Sequence, residues 1–433
     1  MKGNQHPAMS SLNLQNLKKA YRYCKKNGIV AAYDACRERL TTKTPLYEKR
    51  HVPAEVLERQ RKAGFTGDPL VSVLVPAYCT DPGYFEDMVR SLLDQSYENW
   101  ELIIADASPD EAPLRTIAYG FADKRIHYYH LDGNAGISEN TNRALEQASG
   151  RYVALLDHDD FLEPDALYHM LMVFETNPQA LVAYSDEDKV SGDGTRFYEP
   201  NFKPKFNLDL ILSNNYICHF LMMEAGLIKR LGFRAEYDGA QDHDLILRAA
   251  GTLYRTKGAI VHVPEVLYHW RCHEASTAEN PESKRYAYEA GLRAVTDLIR
   301  KMGWKASVRH AKHLGFFDVT FEDIFRDRKD IAAYGGSLVR GGRIVGGALD
   351  EAGNVLYAGL PARFSGYMNR ASLKQDVYAI DTSCMVVRPE LADFFHANME
   401  KTEDTKEAGL LFAREVQKRG LLILWDPAIK KRI

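Results

Sequence analysis

A chain of 433 residues, 45% hydrophobic and 27% charged, has room for two or three globular domains and lies within the composition range of soluble proteins. Its formal net charge of −3 gives no long-range field for a polyanion, so no nucleic-acid partner is expected. The six cysteines, Cys24, Cys36, Cys79, Cys218, Cys272 and Cys384, form no Cys-x-x-Cys pair; this argues against a zinc or redox motif and for reduced thiols.

Met1 to Ser11 hold no apolar signal-like stretch, and the longest near-candidate for a membrane span, Tyr216 to Ile228, is broken by His219 and Glu224. The expected location is the cytoplasm, with any membrane contact peripheral, at the inner face of the cell membrane. From Leu12 to about Gly64, the apolar residues Leu14, Leu17, Tyr21, Ile29, Tyr33 and Leu40 recur at helical spacing, which predicts a helical N-terminal extension over residues 1–68. Lys18, Lys19, Lys25 and Lys26 on it suit a solvated face or a membrane-surface contact.

At Pro69 the pattern changes. Val71 to Pro76 reads as a first strand, Tyr84 to Gln95 as a helix, Trp100 to Ala105 as a second strand and Ile126 to His130 as a third. A helix from Ser138 to Ala148 and a strand from Tyr152 to Leu156 follow. Alternating strands and helices predict an α/β domain, Rossmann-like with a mainly parallel sheet, over residues 69–308. Its ligand loops then follow Val75, Ala105 and Leu156.

Asp157-His158-Asp159-Asp160 places three acids where the fourth strand emerges, and their mutual repulsion would be relieved by Mg2+ or Mn2+ bound with a diphosphate. A solvated acidic turn is the simpler alternative. Asp106 ends the second strand and suits a nucleobase edge or ribose hydroxyl, or an ordinary turn. Asn134 to Arg143 leads into a helix, with Ser138 as an expected N-cap and a helix start beside Arg143 that suits a phosphate. Asp238 to Asp244 precedes another helix and offers one carboxylate as general base, or merely a helix cap. Of His262, His269 and His273, His269 is the candidate metal ligand, against a structural role.

In this order, Val73 to Tyr78, Asp106, Gly136 to Arg143, Asp157 to Asp160, Tyr184 to Lys189, Gln241-Asp242 and Tyr268 to Arg271 resemble the inverting family 2 glycosyltransferases of GT-A fold. The likeness is strongest to members that build rhamnose-containing and related bacterial surface polysaccharides. It implies a nucleotide-diphosphate sugar bound by Pro76, Ala77, Tyr78, Asp106, Gly136, Asn142, Arg143, Asp157, His158 and Asp159. It also implies Mg2+ or Mn2+ on Asp159 and His269, Asp242 as catalytic base, and Asp186, Asp188, Gln241 and Trp270 on the acceptor side. The implied donors are dTDP-rhamnose or a UDP-hexose, and the implied acceptor a glycan or lipid-linked glycan; the chain could also act as a homo-oligomer. Two departures stand out: Ala105-Asp106 where paired acids are usual, and Gln241-Asp242 where Glu-Asp is common.

A dinucleotide oxidoreductase is disfavoured because Tyr78 to Gly83 contains no Gly-x-Gly-x-x-Gly turn. A nucleotidyltransferase is disfavoured for want of a Gly- and Lys/Arg-rich loop after Val75. The remaining rival is a non-catalytic scaffold subunit that binds nucleotide sugar, against which Asp157, Asp159 and Asp242 speak together. Beyond residue 308, Ile331 to Tyr334 echoes Leu181 to Tyr184, Ile380 to Val387 echoes Tyr216 to Met223, and Leu421 to Pro427 echoes Ala259 to Pro264. Residues 309–433 are therefore expected to form a partial GT-A-like, non-catalytic module, either holding the acceptor or acting as a structural cap.

Overall fold

The computed structural model of the protein describes residues 24–25, 28–41, 45, 47–273 and 285–433. The chain divides into two compact units: Leu46–Ile331 is one, and Met1–Pro45 with Ala332–Ile433 the other. Helix α1 (Ile29–Thr41) belongs to the second of these and is described with it.

In the first unit, α2 (Ala54–Lys62) precedes β1 (Val71–Ala77), in which every residue but Pro76 is buried. Helix α3 (Pro82–Leu93) starts two residues before its expected place because the Asp81 carboxylate accepts from the Gly83 and Tyr84 amides (2.9 and 3.2 Å) and Pro82 suits the first helical position. Phe85, Met88, Val89 and Leu92 repeat at helical spacing and bury its inner face in the same core as Val73 and Val75 of β1. Then follow β2 (Trp100–Asp106), α4 (Ala112–Gly120), β3 (Ile126–His130), α5 (Ile137–Gln147) and β4 (Tyr152–Leu155). All four expected strands are present.

β1 pairs in parallel with β2 on one side and β4 on the other, and β3 continues the parallel set beyond β2. Past β4 come the short β5 (Phe161–Leu162), α6 (Ala166–Thr176), β6 (Val182–Ser191), β7 (Phe197–Asn201), α7 (Leu208–Ser213), β8 (Leu221–Glu224), α8 (Ala225–Leu231), α9 (Gln241–Thr252) and β9 (Ile260–Cys272). The sheet runs β3-β2-β1-β4-β8-β6-β9-β5, with β7 on β6. Antiparallel β8 separates the parallel half from the parallel pair β6 and β9. The order reverses at β1 and β4, so a crevice opens at their carboxyl ends.

This unit extends past the expected boundary at residue 308. Helix α10 (Arg285–Lys301), the hairpin of β10 (Ala306–His310) and β11 (Phe317–Phe321), and the single-turn α11 (Ile324–Asp327) all belong to it. Arg328 fixes this end. Its side chain is fully buried, takes both oxygens of Asp209 (2.8 and 2.9 Å) and both of Asp330 (2.9 and 2.8 Å), and lies over the Trp304 ring.

The second unit holds β12 (Ile331–Arg340), β13 (Arg343–Gly346), β14 (Ala348–Leu349), β15 (Gln375–Val377), β16 (Ala379–Ile380), β17 (Met385–Val387), α12 (Ala392–Met399), α13 (Thr405–Lys418) and β18 (Leu422–Arg432). Its core joins Ala332, Ala333, Phe412, Val416, Ile423 and Trp425. The echo read in the sequence is also an echo of pairing. β12 makes a hairpin with β13, pairs antiparallel with β17 and neighbours β18, with α13 between β17 and β18. β6 does the same with β7, β8 and β9, with α9 in the matching place. The expected N-terminal extension is split. α1 anchors within the second unit, where Glu38 accepts from the Ser365 and Gly366 amides (2.6 and 2.7 Å) and Asp34 pairs with Arg363 (2.9 Å), whereas α2 belongs to the first.

Replacing Arg328 by Met leaves the buried Asp209 and Asp330 carboxylates facing each other without a cation, which should cost about 3–5 kcal/mol. Arg328→Lys should recover little, because an ammonium cannot serve two carboxylates bidentately. A urea midpoint of the first unit, followed by circular dichroism, that stays unchanged in Arg328→Met would contradict the clamp.

Candidate active site

The crevice at the ends of β1 and β4 is a cavity of about 740 Å3. Leu74 and Pro76 from β1, and Leu155, Leu156 and Asp157 from β4 and its turn, form one wall; Gly136 and Ile137 at the start of α5 form another. The lining also includes Asn215, Cys218 and His219 before β8, Gln241 and Asp242 at the start of α9, and Trp270 of β9.

The turn after β4 is held from behind. Asp160 is 1% exposed, accepts from the Tyr268 hydroxyl (2.5 Å) and the Arg271 amide (2.7 Å), and is driven well above the usual carboxylate range by burial and by the charges of Asp159 and Asp157. The Arg271 guanidinium, also buried, donates to the Asp159 carbonyl (2.9 Å) and to Asp87 (2.8 Å). Asp159 itself pairs with His273 Nε2 (2.9 Å), with His158 Nδ1 at 3.8 Å. Asp157 faces His219 Nε2 at 3.4 Å.

His219 sits among Asp157, Glu187 and Cys218. Burial opposes its charge, but the Cys218 sulfur and the two carboxylates outweigh it and raise its pKa well above the usual imidazole value. Burial would likewise raise Glu187, yet the Lys203 ammonium and His219 pull it down to about 2. Lys203 is fully buried and donates to Glu187 (3.0 Å) and to the carbonyls of Ile217 (2.6 Å) and His219, so it ties down the segment that carries Cys218 and His219. This group went unread in the sequence. Its signal was the set of polar residues interrupting the apolar run from Tyr216 to Ile228.

Asp242 lies on the cavity wall in the first turn of α9. Asn215 Nδ2 donates to its Oδ2 at 2.6 Å, and the Cys218 thiol, which burial pushes up to about 12 and so keeps protonated, approaches the same oxygen at 3.3 Å. Gln241 accepts from the Gly239 amide (2.9 Å) and lines the cavity beside it.

Several expected placements differ from the observed ones. Asp106 is fully buried, and its oxygens accept from the Ser108 amide (2.8 Å) and the Tyr128 hydroxyl (2.6 Å), so it shapes the end of β2 instead of facing the cavity. Ser138 is not the cap of α5. Gly136 takes that position with φ +96°, and the Asp238 carboxylate accepts from the Ser138 amide (3.1 Å) where a phosphate was expected. A Cβ on Gly136 would collide with Asp238. Asn142 binds both the amide and the carbonyl of Phe233 (2.8 Å each), and Arg143 lies along the helix surface near Glu139 (3.7 Å). Tyr78 is 46% exposed and Ala77 buried, and neither lines the cavity.

Asp186 accepts from His262 Nε2 and the Lys203 amide (2.7 Å each), and Asp188 is fully buried, so neither stands on an acceptor surface. Of the acceptor-side candidates, Gln241 and Trp270 line the cavity. His269 is fully buried, with Nδ1 2.6 Å from Asp188 and Nε2 2.8 Å from Glu163. Both ring nitrogens are therefore occupied as donors, and no lone pair is left for an ion. The histidine at the acidic turn is His273, four residues on.

The switch point of an α/β sheet is where such sheets bind their ligands, and here it opens on an acidic turn. Residues 72–232 match the model of glycosyl transferase family 2. Within the first unit, this stretch is similar to family 2 glycosyltransferase domains. The uncharacterised protein y4gI of Sinorhizobium fredii is 39% identical over 241 residues, 55% of this chain and 26% of that one. The O-antigen biosynthesis protein RfbC of Myxococcus xanthus is 30% identical over 260 residues, 59% of this chain and 20% of its own. A Bacillus subtilis protein named as a teichuronic acid biosynthesis glycosyltransferase, TuaG, is 41% identical over 128 residues, 29% of this chain and 50% of its own. This chain thus spans half or less of each of these relatives.

The His269 site makes a pH prediction. Burial disfavours its cation, but the bonds to Asp188 and Glu163 win and raise its pKa. The stability it supplies is full below the unfolded value of about 6.5 and fades as pH rises through the higher folded value. The stability difference between the protein and His269→Gln should therefore shrink as pH is raised from about 6 to about 9 in urea titrations. A difference that grows with pH would contradict the buried imidazolium.

Proposed function

We propose that the first unit transfers a sugar from a nucleoside diphosphate to a glycan hydroxyl, with inversion, in the synthesis of a bacterial surface polysaccharide. One observation carries this reading: Asp242 and Asp157, the first residue of the acidic turn, line one cavity at the switch point of the sheet. The names of RfbC and TuaG, for O-antigen and teichuronic acid, support the polysaccharide context. dTDP-rhamnose or a UDP-hexose is the donor, and a lipid-linked glycan the acceptor. The second unit has Thr405, Lys406 and Glu407 in the first turn of α13, where α9 carries Asp242. It is proposed as a non-catalytic module.

In this mechanism the acceptor hydroxyl approaches Asp242, which takes its proton while the oxygen attacks the anomeric carbon from the side opposite the diphosphate. Asn215 donates to Oδ2 and fixes the rotamer of the base. Leu74, Leu155 and Leu156 keep the sugar end of the cavity poor in water. His219, held charged by Asp157 and Glu187, supplies positive charge near the diphosphate end.

The donor set at the acidic turn fits a hard divalent ion. Asp157, Asp160 and His219 bring ligand atoms within 4.8 Å of one another, but Asp160 already has both oxygens bound to Tyr268 and Arg271. Asp159 and His273, paired at 2.9 Å and both partly exposed, are the better ligands. Mg2+ or Mn2+ bound there would neutralise charge on the leaving diphosphate.

Asp242→Asn keeps the shape of the side chain while removing its basicity; donor binding should persist and transfer should fall at least about 100-fold. Near-normal turnover would reduce Asp242 to a cap of α9. Asp159→Ala and His273→Ala should each raise the Mn2+ concentration needed for nucleotide binding by about tenfold or more, measured by calorimetry. An unchanged Mn2+ requirement in both would place the ion elsewhere.

A further inference from the structure

We propose that α1 rests the protein on an anionic lipid surface. The three most exposed large apolar side chains among the described residues are Ile29 (79%), Leu40 (70%) and Tyr33 (61%), and all three lie on this one helix. With exposed Cys36 they fall at i, i+4, i+7 and i+11, a single stripe along the helix. The rotation of the helix is fixed from its other side by Asp34 on Arg363 and by Glu38 on the Ser365 and Gly366 amides. The stripe therefore points away from the packed face. It is not a fraying turn that could roll inward.

Charge identifies the occupant. Residues 1–45 contain nine lysines and arginines against two acids, Asp34 and Glu38, a formal charge of +7 in a chain whose total is −3. Both acids are engaged on the packed face, while Lys25 and Arg39 of the same segment are exposed. A helix with a narrow apolar stripe inside a basic segment is suited to the boundary between headgroups and acyl chains, with the aromatic ring at headgroup level and the cations drawn to anionic lipid. A second copy of the chain would bring the same positive segment against itself. Three or four side chains also bury far less than the roughly 1,000 Å2 a stable dimer needs. Nucleic acid would answer the charge but not the apolar stripe. The membrane contact is independent of the sugar-transfer reading and would survive its failure.

The test is sedimentation of the full chain with vesicles of phosphatidylcholine alone and of phosphatidylcholine with phosphatidylglycerol, alongside an Ile29→Asp, Tyr33→Asp, Leu40→Asp triple variant and a Lys25→Glu, Arg39→Glu variant. All five positions are exposed, so circular dichroism and light scattering should report the same fold and mass for each. The protein should bind the phosphatidylglycerol vesicles and leave the neutral ones. Binding should weaken about tenfold or more in the triple variant, and in the charge variant and at high salt as well. Equal binding to both vesicle types, no binding to either, or full binding by the triple variant would overturn the proposal. So would a dimer that the triple variant dissociates, or retention of an oligonucleotide in place of the vesicles.

Discussion

The first unit is organised around the cost of crowding carboxylates at the end of a buried strand. Asp157, Asp159, Asp160 and Glu187 converge where β4 and β6 empty into the crevice, with Asp160 and Glu187 almost wholly removed from water. Isolated charges there would be untenable. The fold answers with positive charge: buried Lys203 on Glu187, buried Arg271 behind Asp159 and Asp160, and His219 between Asp157 and Glu187. The compensation is partial, since Asp160 remains raised. A turn built this way suits a divalent cation, which would offset the remaining negative charge.

Behind that turn lies a second layer of paired charges with a structural role. Tyr47 donates to Asp188 (2.5 Å), His269 bridges Asp188 and Glu163, Lys49 pairs with Glu163 (3.3 Å) and Arg50 with Asp165. The segment Tyr47 to Arg50 thereby closes over the edge of the sheet where β5 and β9 pair. β9 shows why the two layers coexist on one strand: His269 and Arg271 alternate inward and hold the framework, and Trp270 between them lines the cavity.

Much of this was legible in the sequence, and the failures have physical causes. The strands β1, β2 and β4 announce themselves as β-branched and apolar runs ending at polar turns, so the parallel sheet and the position of Asp157 after β4 could be read directly. Asp106, Asn142, Asp186, Asp188 and His269 look like site residues because polar groups near a ligand loop are the ordinary signal. Asp106, Asp186, Asp188 and His269 are buried and Asn142 partly so, each bonded to protein groups, some distant in the chain, as with Asp186 and His262, 76 residues apart. The unit boundary was missed for the same reason: Arg328 finds Asp209 across 119 residues, and no local pattern encodes such a pairing. His219 was hidden inside an apolar run that could equally have been a plain strand.

The central claim is that the crevice at the ends of β1 and β4, bounded by the acidic turn and Asp242, is where a nucleoside diphosphate and its divalent ion bind. Crystals grown with UDP or dTDP and Mn2+, measured at the manganese absorption edge, test it directly. The account predicts an anomalous peak beside Asp159 and His273, with the diphosphate reaching into the cavity toward Asp242. A manganese peak away from Asp157 to Asp160, or a nucleotide bound outside this cavity, would contradict it.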